Sequence, residues 1–65
     1  MNAKIHAVNK ACYSVDEFCG AHNLSRAMFY KILKEGIGPR VMRVGARTLV
    51  SEEAAADWRR QMEAA

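Results

Sequence analysis

Six of the ten basic residues, Arg26, Lys31, Lys34, Arg40, Arg43 and Arg47, fall between Leu24 and Arg47, where the only acid is Glu35. Guanidinium and ammonium groups at that density are suited to neutralising phosphates and displacing their counterions. Six bases less one acid leave +5 in this segment. The four bases (Lys4, Lys10, Arg59, Arg60) and six acids (Asp16, Glu17, Glu52, Glu53, Asp57, Glu63) outside it leave −2, so the formal net charge of +3 conceals a charge separation. Such a separation orients a small protein on a polyanion and steers its approach. No nucleophile, base and acid set accompanies these cations, and Gly36 and Gly38 fit a helix end and a loop rather than a phosphate-cradling turn, so no enzymatic activity is expected. Cys12, Cys19, His22 and His6 are numerous enough for a metal, but their spacing matches no established paired zinc motif. Reduced thiols are expected, with Cys19 in a core, His22 at a helix end and no cofactor or metal.

The cations need elements to hold them. Ser14 followed by Glu17 is a capping box, so a first helix is expected from about Val15, with Val15, Phe18 and Cys19 on its buried face and Asn23 as its stop. Ser25 caps a second helix that Gly36 ends after Glu35. Helical spacing gathers Met28, Phe29, Ile32 and Leu33 on one side, and Arg26, Ala27, Tyr30, Lys31 and Lys34 on the other. Pro39 and the β-branched run over 40–50, interrupted by Gly45 and Ala46, read as a hairpin. Met42 and Val44 are expected to face inward on its first strand, Arg43 outward, and Arg47 to begin the return strand. Ser51 caps a last helix with Glu52 and Glu53 in its first turn, Arg59 and Arg60 toward its end, and Ala55, Trp58 and Met62 as its buried stripe. Leu24, Val44 and Trp58 join Met28, Phe29, Ile32 and Leu33 in the expected core.

The chain has room for one domain and one small core. It divides into a flexible arm over 1–12, from which Lys4 and Lys10 are available for weak electrostatic contact, and a domain over 13–65. The fold class is mostly α with a small β-hairpin. Two short helices joined by a tight turn, the second bearing the basic face, make a helix-turn-helix whose second helix enters the major groove, and the hairpin is then a wing. No apolar run approaches the roughly 20 residues of a membrane span, and residues 1–11 lack the apolar stretch of a secretory signal. A soluble, cytoplasmic, nucleoid-associated protein with no membrane role is expected.

The residues Tyr13-Ser14-Val15-Asp16-Glu17, then Asn23-Leu24-Ser25-Arg26, Phe29-Tyr30, Lys34-Glu35-Gly36, Pro39, and Arg43-Val44-Gly45-Ala46-Arg47 up to Trp58 make an ordered set hard to obtain by chance. The set resembles the small winged helix-turn-helix proteins of the excisionase and AlpA-type phage regulator family, within the wider MerR-like group, over residues 13–63. The resemblance implies sequence-specific binding of double-stranded DNA. As an excisionase, or recombination directionality factor, the protein would bind adjacent sites and bend DNA to direct integrase-mediated excision, with an integrase or a second copy beside it as partner. As an AlpA-type regulator it would occupy a promoter. A small phage terminase subunit is a close cousin that normally continues into an oligomerisation region. MerR proteins continue into a long dimerisation helix, and nothing after Trp58 is long enough for one, so a monomer in solution is expected.

On this reading Arg26 and Lys31 reach base edges or flanking phosphates, and Arg26 is the best candidate for a bidentate guanine contact. Tyr30 donates to a phosphate, and Ser25 with the amides at the helix start holds another. Lys34, Arg40, Arg43 and Arg47 supply backbone or minor-groove contacts. Ala27 and Met28 depart from the small polar residues usual in the family at these positions, which thins hydrogen-bonded readout, although Ala27 can touch a thymine methyl. Structural roles stand beside these: Tyr30 as half-buried packing, Lys34 as a solvated helix end, Arg47 as a partner of Glu52. Ala27 and Met28 also suit a second class of function, an antirepressor-like protein-interaction module with no DNA role.

Overall fold

Each of the three helices in the computed structural model, which describes residues 11–65, starts at a serine. Strand β1, Cys12–Ser14, runs into α1, Val15–His22; α2 is Arg26–Lys34; β2, Met42–Val44, and β3, Arg47–Ser51, form a hairpin that runs into α3, Glu52–Ala64. Ser14 Oγ accepts from the Glu17 amide at 3.1 Å while Glu17 Oε1 accepts from the Ser14 amide at 2.9 Å, which completes the capping box. Ser25 and Ser51 cap α2 and α3 in the same way through the amides of Met28 and Ala54, both at 3.0 Å. Caps of this kind contribute about 1 kcal/mol each.

The helix ends are equally defined. Asn23 turns the chain left-handed (φ 58°), and the Leu24 amide returns to Cys19 O at 2.9 Å. α2 ends in a Schellman arrangement: Gly36 (φ 80°) donates to Leu33 O at 3.1 Å and Ile37 to Ile32 O at 3.0 Å. Gly38 then passes so close to α2 that an added Cβ would lie 2.9 Å from Leu33 Cδ2 and 3.2 Å from its backbone nitrogen.

The strands form one antiparallel sheet in the order β1-β3-β2, with Tyr13 opposite Val50 and Arg43 opposite Thr48. The core lies between this sheet and the helices. Phe18, Phe29, Val50 and Ala55 are fully enclosed, Val15, Cys19 and Ala54 join them, and Tyr13, Leu24, Leu33, Val41 and Trp58 pack around the cluster. Phe18 stacks on His22 with centroids 4.1 Å apart and meets Phe29 at 5.5 Å and Trp58 at 5.4 Å. The domain is therefore a small, mostly helical α+β unit of three helices and a three-stranded sheet.

Several expectations need correction. The sheet has a third strand: Cys12 belongs to β1 rather than to the arm, and the rest of the arm with Lys4, His6 and Lys10 lies outside the described residues. β2 is turned over. Val50 points into the core from β3, so Thr48 and its partner Arg43 share that face, while Met42 and Val44 pair with Leu49 and Arg47 on the opposite one. Val44 is consequently 55% exposed rather than buried, and Arg43 stays exposed because its end of the hairpin runs past the core. Met28 is 42% exposed, since α2 buries only the narrow stripe of Phe29 and Ile32 with Leu33 partly covered. Met62 is exposed because residues 60–65 extend beyond the packed part of α3.

A polar chain ties α3 to β1 and α1. Tyr13 donates its hydroxyl to Glu52 Oε1 at 2.8 Å, Arg59 donates to Glu52 Oε2 at 3.1 Å, and the other Arg59 nitrogen lies 2.9 Å from His22 Nε2. A guanidinium only donates, so in this contact His22 Nε2 accepts, and its Nδ1 lies 2.8 Å from Phe18 O. Arg59 therefore bridges elements rather than serving the end of α3, and Glu52 is not available to Arg47. Among the described residues no helix is long and apolar enough to cross a membrane and no three potential metal ligands cluster.

The Tyr13 hydroxyl, followed by Arg59, holds the Glu52 carboxyl below the usual range, and accepting that hydrogen bond Glu52 raises the Tyr13 phenol. For Glu52 the folded state favours the anion, so its contribution is complete above the ordinary glutamate range and fades as pH falls through the lowered value. For Tyr13 the folded state favours the neutral phenol, and that contribution fades as pH rises through the raised value. Thermal melting between about pH 3 and pH 11 should show stability falling at both ends. Glu52→Gln should flatten the acid limb and Tyr13→Phe the alkaline limb. Both groups are partly exposed, so each effect stays below about 1 kcal/mol. Unchanged limbs in both variants would remove this pair from the pH dependence.

Candidate nucleic-acid interface

α2 carries five of the predicted site residues on its outer surface: Arg26, Ala27, Tyr30, Lys31 and Lys34 are all exposed. They lie there because Phe29 and Ile32 anchor the opposite side of the helix in the core. Ala27, Lys31 and Lys34 follow one another at i, i+4 and i+7 and form the centre of this face. Tyr30 is 46% exposed: its ring packs edge-on against Phe29, with centroids 5.2 Å apart, while its hydroxyl has no partner among the described residues. Ser25 precedes the face, its oxygen occupied by the Met28 amide, and the Cys19 thiol reaches back to Ser25 O at 3.7 Å. Burial pushes that thiol up from its ordinary range, consistent with a packing role for Cys19.

The hairpin carries Arg43 and Arg47 beside a two-residue turn in which Gly45 adopts φ 60°. Arg43 lies on the face shared with Thr48 and Arg47 on the face shared with Val44, so the two guanidiniums leave opposite sides of the ribbon. Arg40 does not belong to this set. It pairs with Asp57 of α3 at 2.9 Å, and Arg40, followed by Arg60, lowers the Asp57 carboxyl.

The cations among the described residues thus divide into two groups. Arg26, Arg40, Arg59 and Arg60 each hold an acid: Asp16, Asp57, Glu52 and Asp57 respectively. Lys31, Lys34, Arg43 and Arg47 have no acidic partner among the described residues. All four lie on the exposed face of α2 or on the hairpin. Left without internal counter-charges, they keep their attraction for an external anion, whereas the paired arginines must first exchange a carboxylate.

Asp16 is the participant that sequence reasoning missed. It reads as a residue suited to the positive end of α1, and it does sit in that first turn, but its carboxylate also engages Arg26 across the α1–α2 junction. Arg26 in turn lies with its guanidinium carbon 5.8 Å from the centre of the Tyr30 ring. The pairing comes from the packing of two helices, ten residues apart in sequence, and no local spacing rule reveals it. Met28, placed with the core by its helical phase at the edge of the apolar stripe, is 42% exposed, as the interaction-module reading requires.

Compared with family models, with curated proteins and with solved structures, the chain matches none. The exposed face of α2 and the hairpin each carry two cations without an acidic partner among the described residues.

Asp16→Asn releases Arg26 without changing side-chain size, and it should raise the salt concentration needed to elute the protein from immobilised heparin. Lys31→Gln should lower it. An unchanged or earlier elution of the Asp16 variant would show that Arg26 is not held back by this pair.

Proposed function

We propose that the chain is a winged helix-turn-helix protein that binds double-stranded DNA sequence-specifically, without catalysis of its own, as an excisionase-type recombination directionality factor. The observation that carries this reading is the placement of the four cations lacking acidic partners, Lys31 and Lys34 on α2 and Arg43 and Arg47 on the hairpin. In this reading α1 and α2 with the connection at 23–25 form the helix-turn-helix. α2 enters the major groove, and the hairpin lies along the adjacent backbone with one arginine toward each side. Tyr30 donates its free hydroxyl to a phosphate and Ser25 opens the helix toward another. Arg26 and Arg40 join as secondary contacts by leaving Asp16 and Asp57.

The excisive role rests on the family resemblance, with an integrase or a second copy as the neighbour beside it on the duplex. An AlpA-type promoter regulator would use the same surface. The exposed Met28 favours a second reading, a protein-interaction module, in which the helix face meets a partner protein.

Selection from a random duplex library at low salt, followed by affinity against salt for the recovered sequence, tests the proposal. Four phosphate contacts give a slope of log affinity on log salt of about −4, and exchange of Arg26 and Arg40 extends it toward about −5. Motifs repeated one helical turn apart, with bending on circular permutation, support the excisive role; a single unbent site supports the regulator. No enrichment at low salt would contradict DNA binding and leave the interaction module.

A further inference from the structure

Before Lys31, the exposed start of α2 presents to a groove few groups that can hydrogen-bond a base. Ala27 stands at the centre of the exposed face, in line with Lys31 and Lys34 and away from buried Phe29 and Ile32. Beside it are Met28, 42% exposed, and Tyr30, 46% exposed. Ala27 and Met28 carry no amide, carboxylate or hydroxyl. Tyr30 has a single hydroxyl at the end of a ring already covered on one side by Arg26. Arg26, the one side chain before Lys31 able to fork onto guanine, is held by Asp16. The surface nearest the base edges is therefore a methyl and a thioether.

A small residue at the point of closest approach lets the helix backbone come near the groove floor. A methionine beside it conforms to whatever apolar feature it meets there. The major-groove edges of the four bases offer one such feature in quantity, the methyl group at C5 of a pyrimidine. We propose that Ala27 and Met28 determine specificity by packing on pyrimidine C5-methyl groups, so that the protein selects sites by where methyls lie rather than by a guanine fork from Arg26. This inference rests on the DNA-binding reading above and adds to it the chemical feature that is read. Lys31 and Lys34 then bring phosphates to the same face without contributing to base choice.

Deoxyuridine keeps the hydrogen-bonding edge of thymidine and lacks only the methyl. In the selected duplex, replacing thymidines under α2 one at a time by deoxyuridine is expected to weaken binding about 3- to 5-fold at each contacted methyl. The slope against salt should be unchanged, since no charge is altered. In a parallel set, placing 5-methylcytosine for cytosine at the same steps distinguishes the two sources of the methyl: recovery of affinity identifies methylcytosine as a second ligand, and no recovery restricts the reading to thymine. Met28→Gln and Ala27→Ser, both at exposed helical positions, should bind with the same salt slope but lose the sensitivity to uracil substitution. Tight, salt-dependent binding that ignores every methyl would overturn this inference and leave the DNA-binding proposal intact. Failure to bind any duplex would overturn both.

Discussion

The ring of Phe18 is the point at which the structure is held together. Fully enclosed, it touches Tyr13 of β1, His22 of its own helix, Phe29 of α2 and Trp58 of α3. In a chain that can bury only a handful of side chains, one aromatic group shared by every helix substitutes for a layered core. Its consequences reach the surface. Phe29 fixes the rotation of α2, which decides that Ala27, Lys31 and Lys34 face outward. Trp58, whose indole donates to Ile37 O at 2.9 Å, fastens α3 to the loop that follows α2 and so limits where the hairpin can begin.

On that frame the charges of the described residues fall into a paired and an unpaired set. Four arginines are paired with acids within the fold, and Asp57 serves two of them. Ion pairs this exposed contribute little to stability. Their more consistent effect is on what the surface offers a ligand. They withdraw Arg26, Arg40, Arg59 and Arg60 from competition and leave a smaller set of cations facing out from α2 and the hairpin. Arg26 is the informative member, because it opens the exposed face of α2 and is nevertheless paired with Asp16 of α1.

Much of this was legible in the sequence, for identifiable reasons. Helix boundaries are set by local hydrogen bonds, so Ser14 with Glu17, Ser25, Asn23 and Gly36 marked them correctly. The outward face of α2 followed from periodicity. β1 was not legible because three residues carry no period, and its strand character comes from pairing with Val50 and Leu49 far along the chain. The phase of β2 was misread for a related reason: alternation says which residues share a face but not which face is covered, and the buried Val50 of β3 decides that. Met28 lies at the edge of a stripe whose width depends on how many neighbours α2 has. The Asp16–Arg26 pair is a product of helix packing, which the composition of neither helix announces.

The polyanion-binding surface proposed for this chain comprises the exposed face of α2 and the hairpin and leaves α3 aside. Backbone amide shifts followed by NMR while a duplex is titrated into the isotope-labelled protein test it directly. The account predicts perturbations concentrated in Arg26–Lys34 and in the hairpin around Arg43 and Arg47, with the outer side of α3 about Glu53 and Arg60 unmoved. Shifts centred on α3, or none at duplex concentrations that saturate a weak polyanion binder, would contradict it.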